Sequence, residues 1–234
     1  MHIPDGFINA PVSIAAGAAS LTGIAVAVRK AADELEERAA PLAGLVAAYV
    51  FALQMLNFPV AAGTSGHLLG GVLAAVLVGP WTGAICIALV LLIQALIFAD
   101  GGLSALGLNV LNMAFVGGLG GYVIFLALRR LLPRTKPMVV LASGIAAGLS
   151  VVLASIAFWI EYSVGGTTAV DLATVFAAMV GVHGLIGIGE GIITALTVGT
   201  VMAVRPDLVY GARDLRPQPT VLPPASVATG GVHR

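Results

Sequence analysis

The chain has 234 residues, of which 59% are hydrophobic and 9% charged, against roughly 25% charged in an ordinary soluble domain. That deficit excludes a water-soluble fold, and a formal net charge of zero gives no electrostatic attraction for nucleic acid. The charges cluster at 29–38, 129–136 and 205–216, with long apolar stretches between, the pattern of an all-α, polytopic membrane helix bundle.

A membrane span needs about 20 mainly apolar residues. The first candidate lies near 9–28. Asp5 precedes it, and Arg29 and Lys30 follow it, the reverse of a signal peptide, so it is expected to be retained with its amino end outside. The second lies near 42–59. The region 68–99 is too long for one upright helix and short for two, and Gly79-Pro80 interrupts it. Further candidates lie near 108–128, 138–160 and 174–203.

Lys and Arg collect in cytoplasmic loops. All eleven fall at 29–38, 129–136, 205–216 and position 234, so an even number of crossings must separate Arg38 from Arg129. The stretch 68–99 must then cross twice, for about seven transmembrane helices, with the N-terminus outside and the C-terminus cytoplasmic. Residues 1–204 are expected to form one membrane-embedded domain. Residues 205–234, with five of the twelve prolines, are expected to be a flexible cytoplasmic tail.

Polar side chains inside a bilayer are costly, so each needs an explanation. Glu190 is the only charge expected well within a span, and His183, seven residues earlier, shares its angular position. Two readings stay open for this pair: part of a binding cavity or proton relay, or hydrogen bonds that hold the bundle together. Asn109, Asn112, Gln54 and Gln94 fit interhelical hydrogen bonding. The pairs Gly144/Gly148 and Gly187/Gly191 allow close helix packing. The single cysteine, Cys86, excludes a thiolate cluster within the chain. No nucleophile–base pair and no phosphate-binding G-x-x-x-x-G-K-[ST] loop occurs, so the protein reads as neither enzyme nor ATPase.

The start, Met1-His2-Ile3-Pro4-Asp5-Gly6-Phe7, can chelate a metal. A free terminal amine and the His2 amide nitrogen close a five-membered ring, and the amide with the imidazole Nδ1 closes a six-membered one. Pro4 and Gly6 allow the peptide to fold back. His67, on the outward loop 60–67, supplies a fourth nitrogen. Square-planar nitrogen ligation suits Ni(II), Cu(II) and low-spin Co(II). Spacing alone leaves open the plainer reading of an exposed terminal His2 and an unconnected loop His67.

Four ordered motifs resemble the CbiM/NikM family: residues 1–7; Ser65-Gly66-His67-Leu68-Leu69-Gly70-Gly71; Phe98 to Gly102 running on to Leu106–Met113; and His183 to Glu190. The resemblance covers about 1–203. It implies the membrane-embedded substrate-binding component of an energy-coupling-factor importer in the plasma membrane, with Met1, His2 and His67 as metal ligands. It also implies transported Co(II) or Ni(II) without a catalytic cofactor, a transmembrane coupling (T) subunit, cytoplasmic ATPase subunits and, in cobalt-type systems, often a small two-span accessory subunit. Asp5, Asn109, Asn112, His183 and Glu190 are expected around the ligands, where selectivity is tuned. The competing expectation is a self-sufficient, proton-coupled secondary transporter built on His183 and Glu190.

Overall fold

The computed structural model describes residues 1–34, 39–60 and 64–216, the side chains of Ala39 and Pro59 excepted. Among these the chain is mostly helical: α1 Ala10–Ala31, α2 Ala39–Gln54, α3 Gly71–Val78, α4 Pro80–Ile97, α5 Leu106–Val110, α6 Gly121–Leu131, α7 Lys136–Gly165 and α8 Leu172–Val204. A π-helical stretch, Leu111–Gly120, joins α5 to α6 as one rod. Two short strands, β1 Phe58–Pro59 and β2 Ser65–Gly66, pair antiparallel. Five helices are long and apolar enough to cross a membrane: α1, α4, the Leu106–Leu131 rod, α7 and α8.

The break between α3 and α4 follows from its residues. Gly79 sits at φ +101°, a region that favours glycine, and Pro80 opens α4 where its missing N–H costs nothing. Glu34 covers this helix start: its carboxylate accepts the Trp81 and Thr82 N–H groups and the Thr82 hydroxyl. α3 has eight residues, all of them buried, and at 1.5 Å per residue is about 12 Å long. It is the centre of the bundle, which is why its sequence is apolar all round.

α7 and α8 pack antiparallel through interleaved glycines. A Cβ at Gly144 would lie 2.9 Å from the Gly191 carbonyl oxygen, and one at Gly187 would lie 2.7 Å from that of Gly148. Cys86 is buried and unpaired. Glu161 lies near the C-terminal end of α7. Its carboxylate accepts from the Asn112 side-chain amide at 2.7 Å.

Packed structure runs on past residue 204. Pro206–Leu208 and Tyr210–Leu215 form 3-10 turns, Val209 between them is fully buried, and Arg129 pairs with Asp214 at 2.9 Å. The remainder of the expected tail, 217–234, and residues 61–63 of the expected outer loop lie outside the described residues.

Candidate metal site

The amino-terminal peptide turns back into the bundle. A turn at Pro4–Phe7, closed by Phe7 N–H donating to the Pro4 carbonyl, has Gly6 at φ +74°, as a glycine at this position allows. Asn9 then caps α1 through Val12 N–H. Asn109 grips the peptide from the rod: its side chain accepts from Ile3 N–H at 2.8 Å and donates to the Ile3 carbonyl at 3.3 Å, which also accepts from Gly102 N–H at 2.8 Å. Asp5 accepts from the backbone N–H and hydroxyl of Ser104. On the other side, Thr167 donates its hydroxyl to the Gly6 carbonyl. Met1 and Ile3 are fully buried as a result.

Gly101 and Gly102 make this approach possible. A Cβ at Gly101 would lie 2.9 Å from His2 Nδ1, and one at Gly102 would lie 2.4 Å from Asp5 N. A cavity of about 250 Å³ lined by His2, Asp5, Asp100 and these glycines opens above His2, and its two carboxylates favour a cation.

His2 and His67 face each other with ring centroids 4.5 Å apart and a 30° tilt. His67 Nδ1 lies 2.7 Å from the Leu68 carbonyl oxygen. A carbonyl only accepts, so Nδ1 carries the proton and Nε2 holds the free lone pair. That Nε2 is buried with no hydrogen-bond partner, as is His2 Nε2, which lies 3.6 Å from Asp100 Oδ2. Burial holds the Met1 amine and both imidazoles well below their ordinary pKa values; the terminal ammonium lowers both imidazoles further, while Asp100 partly offsets the shift of the amine. Burial thus disfavours protonation of all three donors, leaving free lone pairs to bind a cation.

The segment that carries His67 is itself irregular backbone, and α8 tethers it. Glu190 accepts Leu69 N–H at 2.9 Å and Gly70 N–H at 2.7 Å, and Gln54 of α2 donates to the Leu69 carbonyl at 2.7 Å. Gly70 is left-handed, at φ +70°. His183 donates Nδ1–H to the Met179 carbonyl at 2.8 Å, leaving a buried, unpartnered Nε2. It stands beside Gly66, where a Cβ would lie 3.5 Å from its Cε1.

The structure therefore brings together Met1, His2, His67 and His183, with Asp5 and Asn109 holding the peptide and Glu190 holding the loop. Asn112 turns instead to Glu161. Sequence reasoning missed Asp100 and Thr167 as partners of this peptide. Asp100 stands beside two glycines, the one local sign that a backbone approaches there. Among the described residues no group of three His, Cys, Asp or Glu side chains is arranged to hold a metal.

Fold and site define a class first: a multi-pass membrane helix bundle that buries nitrogen donors between its first residues and two loops. Residues 2–208 match the family described as CbiM, cobalt uptake substrate-specific transmembrane region, and the chain belongs to this family. A chain of Archaeoglobus fulgidus carrying the fused NikMN name is 40% identical over 209 residues, 89% of this chain and 68% of its own. The cobalt transport protein CbiM of Sorangium cellulosum is 32% identical over 212 residues, 89% of this chain and 94% of its own. A crystal structure of a transition metal transporter superposes with a TM-score of 0.80 at 33% identity, covering 93% of this chain and 100% of that one.

Proposed function

We propose that this chain is the membrane-embedded capture component of an energy-coupling-factor importer for Co(II) or Ni(II). In this reading the ion loses water at the cavity above His2. It is then held by the Met1 amine, the His2 amide and imidazole nitrogens and His67 Nε2. The observation that carries the reading is the complete burial of Met1 against two facing imidazoles whose Nε2 atoms lack partners. Burying unpartnered polar atoms is costly, and a cation relieves that cost.

The test is a version with one residue added before Met1, its mature start checked by intact mass, titrated with Ni(II) and Co(II) after purification. Binding is expected to be abolished, and lost also in His2→Ala and His67→Ala. Undiminished binding by the extended chain would overturn the reading.

The same proposal places seven membrane-embedded helical segments in the plasma membrane, the short buried α3 included, with the amino end outside and Arg129, Arg130 and Arg213 inside. Nucleotide hydrolysis would come from ATPase subunits through a transmembrane coupling subunit, with an accessory two-span subunit in cobalt-type assemblies. The proton-coupled alternative is weakened by Glu190, whose two oxygens are already engaged by Leu69 and Gly70 N–H.

A further inference from the structure

At the far end of the Leu106–Leu131 rod from Ile3, a cavity of about 440 Å³ opens between α6, the turn that follows it and the Tyr210–Leu215 turn. Arg129, Arg130, Arg134 and Arg213 line it together with Tyr122 and Tyr210. Asp214, the one acidic residue in this described lining, is paired with Arg129, so three guanidinium charges stay unneutralised within the lining. Arg213 is held in place: its guanidinium lies 3.8 Å over the Tyr210 ring and donates to the Glu34 carbonyl at 3.1 Å. Its Nε is buried with no hydrogen-bond partner. This is a preorganised donor without an acceptor.

The cavity lies where an apolar helix gives way to charge. Val123, Leu126 and Leu131 of the same α6 are exposed, so an apolar wall continues directly from the basic mouth. Guanidinium forks match phosphate oxygens, and basic pockets between helix ends at a membrane surface suit anionic headgroups. A small soluble anion would make use of the arginines and leave the apolar wall without a role.

We propose that this cavity binds the phosphate of an anionic phospholipid headgroup, with Arg130, Arg134 and Arg213 as donors and the exposed face of α6 against the acyl chains. The test uses the full chain, delipidated in detergent, with phosphatidylglycerol and phosphatidylcholine of identical acyl chains as probes, read by native mass spectrometry. Phosphatidylglycerol should be retained preferentially. The Arg130→Gln/Arg134→Gln variant should hold it less tightly by roughly fivefold per arginine, about 25-fold for the pair. Arg130→Lys/Arg134→Lys, which keeps the charge, should retain most of the preference. Equal retention of the two lipids by the wild type would overturn the proposal whether or not the glutamine variant folds. So would a folded glutamine variant with undiminished retention. A third arm offers inorganic phosphate alone: if it binds and phosphatidylglycerol fails to compete, the ligand is a soluble anion and the lipid assignment falls.

Discussion

Replacing Glu190 with glutamine tests whether α8 holds the His67 segment or relays protons. The carboxylate accepts two peptide N–H groups, at 2.9 and 2.7 Å. A glutamine keeps one carbonyl oxygen for one of them and turns an NH2 group toward the other, leaving a buried donor facing a donor. A hydrogen bond to a charged group contributes about 1.5–3 kcal/mol, and a stranded buried polar group costs about 1–3 kcal/mol. The expected loss is therefore roughly 2.5–6 kcal/mol, concentrated at 64–70, because the fully buried α3 and the Gln54 bond hold the segment from its other side. Loosening a group that orients a ligand typically lowers metal affinity by about 10–100-fold. Hydrogen exchange of the 64–71 peptide should accelerate in Glu190→Gln while the helices exchange as before, and a Ni(II) titration should show the weaker affinity. Unchanged exchange and unchanged affinity together would refute the tether. Proton-driven uptake by vesicles holding only this chain, lost in the same variant, would favour the relay instead.

Asn109→Leu removes both bonds to Ile3 without touching a ligand; metal affinity should fall, and exchange at the Ile3 amide should rise, as measured by calorimetry and NMR. Gly102→Ala should displace the amino-terminal peptide and abolish binding, because its Cβ would lie 2.4 Å from Asp5 N. Gly44→Ala, whose Cβ meets nothing within 4 Å, should leave binding unchanged and raise Tm slightly through about 1 kcal/mol of helix propensity. The metal-free protein should lose stability as pH falls. Its buried amine and imidazoles have lowered pKa values, whereas the unfolded chain takes up protons below about 8 and about 6.5. Stability should accordingly rise with pH across that window, and a melting series from pH 6 to 8.5 that runs flat or downward would contradict the burial of these groups. Metal binding near pH 7 should release the His2 amide proton, and calorimetry in buffers of different ionisation enthalpy counts the protons released.

Much of the bundle was legible because apolar runs and charge clusters are set by the bilayer rather than by particular contacts. The Gly79-Pro80 break, the boundaries of α1 and the inward face shared by His183 and Glu190 could all be read directly. The π-helical turn at Leu111–Gly120 could not, since its residues carry the same apolar pattern as an α-helix. Glu34 read as one more charge in a polar loop, although it closes the start of α4. The pairing of Asn112 with the Glu161 carboxylate near the end of α7 could not be read from spacing either.

The roles of the buried polar residues share one cause. Where backbone leaves regular helix inside a bundle, its N–H and C=O groups have no water to turn to and must be satisfied by protein. Asn109 and Thr167 do this for residues 3–7, Glu190 and Gln54 for Leu69 and Gly70, and Glu34 for Trp81 and Thr82. A proton relay would need such side chains free to change partners; here each is committed to a peptide group. Among the described residues, His2, His67 and His183 each keep a buried Nε2 without a hydrogen-bond partner, as do side-chain oxygens of Gln54, Gln94, Asn112 and Glu161 elsewhere in the bundle. Two of those three imidazoles stand face to face, in reach of a chain start that the committed residues hold in place. In the proposed capture reading, Asn109, Thr167 and Glu190 fix irregular backbone, and the facing imidazoles of His2 and His67 keep their Nε2 atoms for an ion.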